Sequence, residues 1–457
     1  LGRRLWNRET VLAAGLALLG CVQFIWQARQ AQIDATLCFF TTLSLYGLLR
    51  HCLLGPQWKW YAIGWAAAGL GIITKGVGFL PLFVLLPYVM ARGAGWQPRP
   101  VFSGGWRWLM GPVALLAAVS VWLVPMWLAT LEDPALQAYR HEILFSQTVT
   151  RYTAAWHHHE PFWYYLVEVI PGLWLPFTAL LPWLIRQWRN DLRRRDLRTV
   201  LPLAWAVVVV LFFSVSSGKR GVYVLPAVPA LALAAGPHLY EIAGRARARW
   251  TLFAIACGLA AVALGAAAYM LMNAAQRERV VDMYSIEVVA PLLTLGVGIA
   301  VVCLLARPAR GVLAYGAALV LTILLVSFWI NPVIDGRRSG ADFMRKVEAV
   351  VPAERELGWV GYKEQYLLQA RRPLVTFGHA RWREGQQEAN DAALWLSRSG
   401  DRALLADREV VQECFGSARS RSVGMANRTE WFLIEGSPDR ECVEKGDTFA
   451  PIPYAPR

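Results

Sequence analysis

Apolar runs of about twenty residues recur along this chain, and that one feature decides most of what it can fold into. An α-helix needs roughly 20 residues to cross about 30 Å of hydrocarbon. Inside a bilayer only helices and closed barrels satisfy their own backbone polar groups. Runs of this kind lie near 9–27, 34–50, 58–74, 77–91, 107–130, 163–186, 200–217, 221–240, 250–272 and 287–306, with an eleventh near 311–331. They predict an all-α polytopic membrane domain of ten or eleven transmembrane helices. The shortest, 77–91, pairs with 58–74 as a candidate helical hairpin broken at Thr74-Lys75-Gly76.

Composition agrees. Hydrophobic residues make up 56% of the 457 and charged residues only 17%, with a mean hydropathy of +0.36. Soluble domains carry about 45–50% apolar residues even with Gly counted, so a single soluble core could not hide this surplus. The net charge of +14 would suit nucleic acid. Here, however, the Arg residues gather in short runs between apolar stretches, as they do where a membrane protein fixes its orientation. Nucleic acid is set aside as a partner.

The basic loops predict the topology. Arg92, Arg99 and Arg107 precede one span, and Arg186, Arg189, Arg193, Arg194, Arg195 and Arg198 fill the next such loop. Arg245, Arg247 and Arg249 fill another, and Arg307 and Arg310 the last. With all of these in the cytoplasm the alternation closes. The opposite side then receives 27–33, the neighbourhood of Lys75, the loop 131–162, the turn 216–220, the loop 273–286 and everything from about 332. The expected domains are a transmembrane domain, 1–334, and a periplasmic α/β domain, 335–457. In the latter, 342–351 reads as an amphipathic helix, and 357–362, 374–377, 403–407 and 431–435 read as short strands. Its Cys414 and Cys442 could form a disulfide if the tail is periplasmic. The other cysteines, Cys21, Cys38, Cys52, Cys257 and Cys303, sit in or beside apolar runs without metal-ligand spacing.

Four polar features oppose the logic of the spans. Arg29 and Asp34 lie where one apolar run ends and the next begins; a polar loop explains them, and so does a functional carboxylate held beside a guanidinium. Lys75 lies between two apolar runs, either snorkelling at a helix end or binding an anion beside Gly76. Ser216-Ser-Gly-Lys219-Arg220 puts two cations on the side where positive charge is disfavoured. An orientation signal cannot explain that sign, whereas a bound phosphate can, since Arg offers bidentate donors and Lys a compact charge. The loop 131–162 carries Glu142, Arg151 and His157-His158-His159-Glu160, followed by Phe162-Trp163-Tyr164-Tyr165. An interfacial aromatic belt accounts for much of it. Two of the histidines with Glu160 could hold a divalent metal, though their spacing is not diagnostic. All four features fall on one side. Cations and a carboxylate gathered there point to a lipid with an anionic head group, with the carboxylate as a general base or as a group that orients an acceptor.

In order along the chain, Arg29 with Asp34, Ile73-Thr-Lys-Gly76, Pro161-Phe-Trp-Tyr-Tyr165 and Gly218-Lys-Arg-Gly-Val-Tyr-Val-Leu-Pro226 resemble the GT-C glycosyltransferases. The branch they resemble most is the bacterial aminoarabinose transferases with their protein mannosyltransferase relatives. The resemblance runs through nearly the whole chain, C-terminal domain included. It implies transfer of a sugar, with inversion, from a polyprenyl phosphate to an acceptor on the periplasmic face of the bacterial inner membrane: lipid A, another glycolipid, a glycan or a protein. It also implies Asp34 as the family's second acidic position, Lys75 in its Thr-Lys-Gly segment and Lys219 with Arg220 in its carrier-phosphate region; Arg29, Tyr223, Arg151 and His158 join these three cations as substrate-binding candidates. The family opens with a further span and a loop bearing its first acidic residue, the favoured base. Nothing matches these ahead of Leu1, so a truncated chain is expected. A transporter of a lipid-linked sugar would use similar cations, but no internal repeat supports it, and the polar residues lie at an interface rather than at the bilayer centre. A scaffold that merely displays the tail leaves Lys219 and Arg220 unexplained.

Overall fold

The computed structural model describes residues 1–96, 104–131, 137, 140, 144, 160–284, 286–378, 386–416, 418–426, 429–447 and 452–455. It divides into two compact units. One comprises Leu1–Gly258 with Ile299–Leu319, and the other Leu259–Gly298 with Val320–Arg457.

Every expected apolar run is helical. The first unit opens with α1 (Gly2–Leu5), α2 (Arg8–Leu19) and α3 (Val22–Gln27), followed by α4 (Ile33–Leu54) and α5 (Trp58–Lys75). A 3-10 segment, Val77–Val84, then leads into α6 (Leu85–Gly93), and α7 (Met110–Ala129) follows. Next come α8 (Ile170–Leu173), α9 (Phe177–Arg193), α10 (Leu197–Val215) and α11 (Ala227–Gly244). Among the described residues, six helical stretches are long and apolar enough to cross a membrane: Ile33–Leu54, Gly105–Ala129, Leu197–Val215, Ala246–Met272, Val289–Ala306 and the apolar part of Pro308–Val350. The bent pair Tyr165–Leu173 and Phe177–Arg193 makes seven if counted as one span.

Of the other expected spans, 58–74 and 221–240 are covered for the most part by the 18-residue helices α5 and α11, which are less apolar, and three are interrupted. The run 9–27 breaks between α2 and α3. There the Gly20 carbonyl accepts from Tyr315 Oη at 2.8 Å, and the Val22 amide donates to the Leu175 carbonyl at 3.1 Å. The run 163–186 turns through 103° at a segment where Pro176 brings no N–H to continue a helix. The run 77–91 folds back on α5 as a short 3-10 and α-helical arm.

Helix packing in the first unit uses small residues to bring backbones together, as membrane bundles do. A Cβ on Gly47 would lie 2.4 Å from the Trp60 carbonyl oxygen and 2.8 Å from Gly64 Cα, and one on Gly69 would lie 2.8 Å from the Leu115 carbonyl oxygen. These contacts join α4 to α5 and α5 to α7. By contrast, α7 leaves Leu116 62%, Val121 70% and Leu128 62% exposed, a surface that suits lipid rather than water. Helix starts are capped where the chain turns: Asn7 Oδ1 accepts from the Thr10 amide at 2.8 Å, and Asp196 caps α10 as Ser, Thr, Asp and Asn commonly do.

The second unit takes up α12 (Ala246–Met272) from Leu259 on, then α13 (Ala274–Tyr284) and α14 (Val289–Ala306) as far as Gly298. The helix α15 (Gly311–Leu325) enters it at Val320, and α16 (Asn331–Arg338) follows. Beyond lies a six-stranded sheet in the order β4-β5-β3-β1-β2-β6. Its strands are β1 (Glu356–Trp359), β2 (Leu374–Thr376), β3 (Arg402–Asp407), β4 (Arg419–Ala426), β5 (Thr429–Glu435) and β6 (Ile452–Tyr454). The three central strands are parallel, with Leu357 opposite both Leu374 and Ala403, and the outer pairings are antiparallel. Along β3, Ala403 and Leu405 join one apolar cluster with Phe343, Trp359, Tyr366 and Trp431. Leu404 and Ala406 join another with Phe377, Trp395 and Phe415. Both faces are thus covered, as the parallel centre of a sheet requires. The amphipathic helix and four strands read from the sequence are present. The strands β4 and β6 are additional, because exposed Arg419, Ser420, Arg421 and Ser422 and a three-residue edge strand carry little apolar alternation.

Cys414 and Cys442 form a disulfide across 28 residues, and both are buried. Closing a loop of that length contributes about 3–4 kcal/mol in the chain-entropy description. Replacing both cysteines by Ser is therefore expected to destabilise the sheet-bearing region by about 3 kcal/mol, seen as faster limited proteolysis of the C-terminal third. An unchanged cleavage rate would show that the bridge contributes nothing.

Candidate functional site

Three chain segments meet at one end of the first unit. Asp34 lies in the first turn of α4 and Lys75 ends α5; they are 41 residues apart, and their side chains form a salt bridge with the carboxylate 9% and the ammonium 12% exposed. The third segment is the link between α10 and α11. It brings Tyr223 face-on to the Lys75 ammonium, 4.4 Å from the ring centroid, close enough for a cation–π interaction. Phe213 backs Tyr223, with ring centroids 5.3 Å apart. An ammonium in partly apolar surroundings is thus held by one carboxylate and one ring.

Two glycines build the elbow that presents Lys75. Gly76 has φ +68°, a conformation that suits a residue without Cβ. Gly78 touches Gly71 so closely that a Cβ there would fall 2.0 Å from the Gly71 carbonyl carbon and 2.2 Å from the Ile72 nitrogen. The chain therefore doubles back on α5 immediately after Lys75, leaving it at the tip.

Lys219 and Arg220 are adjacent in sequence but not equivalent in the structure. Lys219 is 5% exposed, and its ammonium donates to the Ser216 carbonyl at 2.7 Å and the Glu160 carbonyl at 2.8 Å. Arg220 has extended backbone angles, φ −135° and ψ 140°, and its side chain is exposed. Successive side chains on extended backbone point to opposite sides, so one cation braces the turn from within while the other faces out. Among the described residues, nothing pairs with the Arg220 guanidinium. Arg29 is exposed in the turn before α4. Arg151 and His158 lie outside the described residues, as do Glu142, His157 and His159. Among the described residues, no three of His, Cys, Asp and Glu converge as metal ligands do.

An almost wholly apolar groove of about 420 Å³ lies in the same unit. Ala35, Cys38 and Leu225 line it, next in sequence to Asp34 and close to Tyr223. A second cavity of about 250 Å³ shares Leu18, Thr42, Tyr46 and Pro229 with it and reaches Leu49 and Leu233 near the far end of α4. A charged cluster whose sequence neighbours Ala35 and Leu225 line an apolar groove suits an amphiphile with a charged head. Gln23 and Trp174, which carry no motif, support the same turn through hydrogen bonds. A polar amide inside the apolar run 9–27 is the one sequence signal pointing to them.

Helices packed through small residues, a kinked span and a charged cluster define a polytopic membrane protein. Over 94% of this chain and 80% of the other, the structure superposes with a TM-score of 0.71 and 24% identity on the ArnT protein of Cupriavidus metallidurans, whose crystal structure has undecaprenyl phosphate bound. Residues 1–127 match the family described as dolichyl-phosphate-mannose-protein mannosyltransferase. Over 288 residues the chain is 30% identical to the undecaprenyl phosphate-alpha-4-amino-4-deoxy-L-arabinose arabinosyl transferase of Pseudomonas aeruginosa, a match covering 60% of the chain and 49% of the relative. The enzyme of the same name from an Enterobacter species is 28% identical over 57% of the chain and 47% of its own length. The chain thus spans about half the length of these relatives. The fold is that of the GT-C transferases, the sequence is similar to the aminoarabinose transferases over part of its length, and the apolar helices make this a multi-pass membrane protein with a small C-terminal sheet domain.

Proposed function

We propose that this chain is a membrane glycosyltransferase that moves a sugar from a polyprenyl-phosphate carrier to an acceptor on the periplasmic face, with lipid A as the favoured acceptor. The observation that carries this reading is the Asp34–Lys75–Tyr223 cluster, with the exposed Arg220 in the same segment as Tyr223 and an apolar groove lined by Ala35 and Leu225, the sequence neighbours of Asp34 and Tyr223. Arg220 takes the carrier phosphate through its planar donors. Lys75 adds a second charge, and the groove takes the first isoprenyl units. Asp34 holds Lys75 in place and is the candidate carboxylate of the site. Arg29, Arg151 and His158 belong to the same reading as acceptor- or donor-binding residues, with any divalent metal at the 157–160 segment. Residues 1–334 act as the transferase domain and 335–457 as a periplasmic α/β domain. The Cys414–Cys442 bridge supports that placement, since disulfides persist in oxidising compartments.

Mass spectrometry of outer-membrane lipid from a deletion strain tests the activity, with loss of one sugar from lipid A as the expected result. An unchanged lipid and glycan profile would overturn the proposal. Arg220→Ala in the full-length protein is expected to cut transfer by about 100-fold or more, because one charged donor to a transition-state or ground-state anion accounts for roughly 3 kcal/mol. Unaltered transfer by a variant that still inserts would remove the phosphate from this residue.

A further inference from the structure

Gln23 is 1% exposed in α3, where a polar side chain needs a reason. Its amide spends both of its functions on distant segments. Nε2 donates to the Gly221 carbonyl at 2.6 Å, and Oε1 accepts from Trp174 Nε1 at 2.5 Å. Trp174 is itself held, because the carbonyls on either side of it are anchored to the start of α3. Leu173 O accepts from Cys21 Sγ at 3.5 Å, and Leu175 O accepts from the Val22 amide at 3.1 Å.

These bonds converge on three successive residues of the turn. Lys219 is tethered through its ammonium. The Arg220 carbonyl accepts from Tyr165 Oη at 3.3 Å. The Gly221 carbonyl accepts from Gln23. The backbone is tied on both sides of Arg220, while the guanidinium stays outside this network.

We propose that Gln23, backed by Trp174, is a positioning residue that sets the aim of Arg220 at the phosphate of a polyprenyl monophosphate. This rests on the function proposed above. A donor to a backbone carbonyl fixes where the turn sits without touching the ligand, so its effect must pass through Arg220. Gln23→Leu keeps the volume and removes both bonds. Gln23→Glu keeps the acceptor for Trp174 but sets a carboxylate against the Gly221 carbonyl. Trp174→Phe removes only the indole donor.

The test is a double-mutant cycle on binding of undecaprenyl phosphate to the detergent-purified chain, read by calorimetric titration. Gln23→Leu and Gln23→Glu are expected to weaken binding about tenfold, the usual consequence of losing a buried hydrogen bond that orders a site, and Trp174→Phe by less. In an Arg220→Ala background the same changes are expected to have no further effect, since effects that share one route do not add. If the Gln23 and Arg220 effects multiply instead, Gln23 acts on the fold at large and the inference fails. Native affinity in all Gln23 and Trp174 variants also overturns it. Native affinity in Arg220→Ala alone overturns the underlying phosphate reading, which separates the two failures. Should Gln23→Leu not fold, Trp174→Phe, which deletes a single donor, carries the same cycle.

Discussion

Lys75→Ala is expected to lower the stability of the detergent-solubilised protein by about 3–5 kcal/mol, the usual result of removing one partner of a buried ion pair, and to abolish binding of a polyprenyl phosphate. Both effects trace to one geometry. Asp34 is 9% exposed at its side chain and salt-bridged to Lys75, so the variant strands a carboxylate in partly apolar surroundings. The two effects can be pulled apart. Asp34→Asn in the Lys75→Ala background removes the stranded charge and is expected to restore most of the thermal stability. Binding stays lost, because the ammonium is still missing. A thermal melt of the native protein and both variants checks the first half, and titration with undecaprenyl phosphate checks the second. If Lys75→Ala melts with the native protein, the pair is energetically idle. If the double variant binds normally, Lys75 has no part in holding the anion.

Gly78→Val is expected to prevent correct folding of the elbow and to eliminate activity. The obstruction is backbone, not side chain: the new Cβ would stand 2.0 Å from one main-chain atom and 2.2 Å from another. No rotamer change relieves that. Either the 3-10 arm Val77–Val84 lifts from α5 or the helix end unwinds, and both move Lys75 away from Asp34 and Tyr223. Gly258 in α12 is a control, since a Cβ there meets nothing within 4 Å. Gly258→Ala is expected to be neutral or slightly stabilising, as Ala exceeds Gly in helix propensity by about 1 kcal/mol. Expression level and monodispersity by size-exclusion chromatography read both variants. A well-behaved, active Gly78→Val would refute the close approach.

Much of the candidate site is legible in the amino-acid sequence, because its members are polar where the spans make polarity costly. Asp34 and Lys75 stand out at the ends of apolar runs, and the basic loops put both on one side of the membrane; the fold brings them into contact. Tyr223 comes with the segment around Lys219 and Arg220. The inequality of those two cations is not legible. They are simply adjacent in the sequence, and only the extended backbone at Arg220 and the carbonyls of Ser216 and Glu160 reveal which turns inward. Gln23 is equally opaque, since its partners lie 151 and 198 residues away.

A linear reading suffices to show that this protein lives in a bilayer, where most of its helices run, that a sheet domain follows them, and that Asp34 and Lys75 are the charges worth watching at the ends of apolar runs. Hydropathy and charge act locally, so a linear reading captures them. Where apolar runs break, and which cations face outward, emerges only once the chain is folded. The same is true of what holds the Arg220 turn in place. Those outcomes depend on hydrogen bonds between segments distant along the chain, such as Tyr315 to Gly20 and Gln23 to Gly221, and on backbones that touch only where glycines allow it.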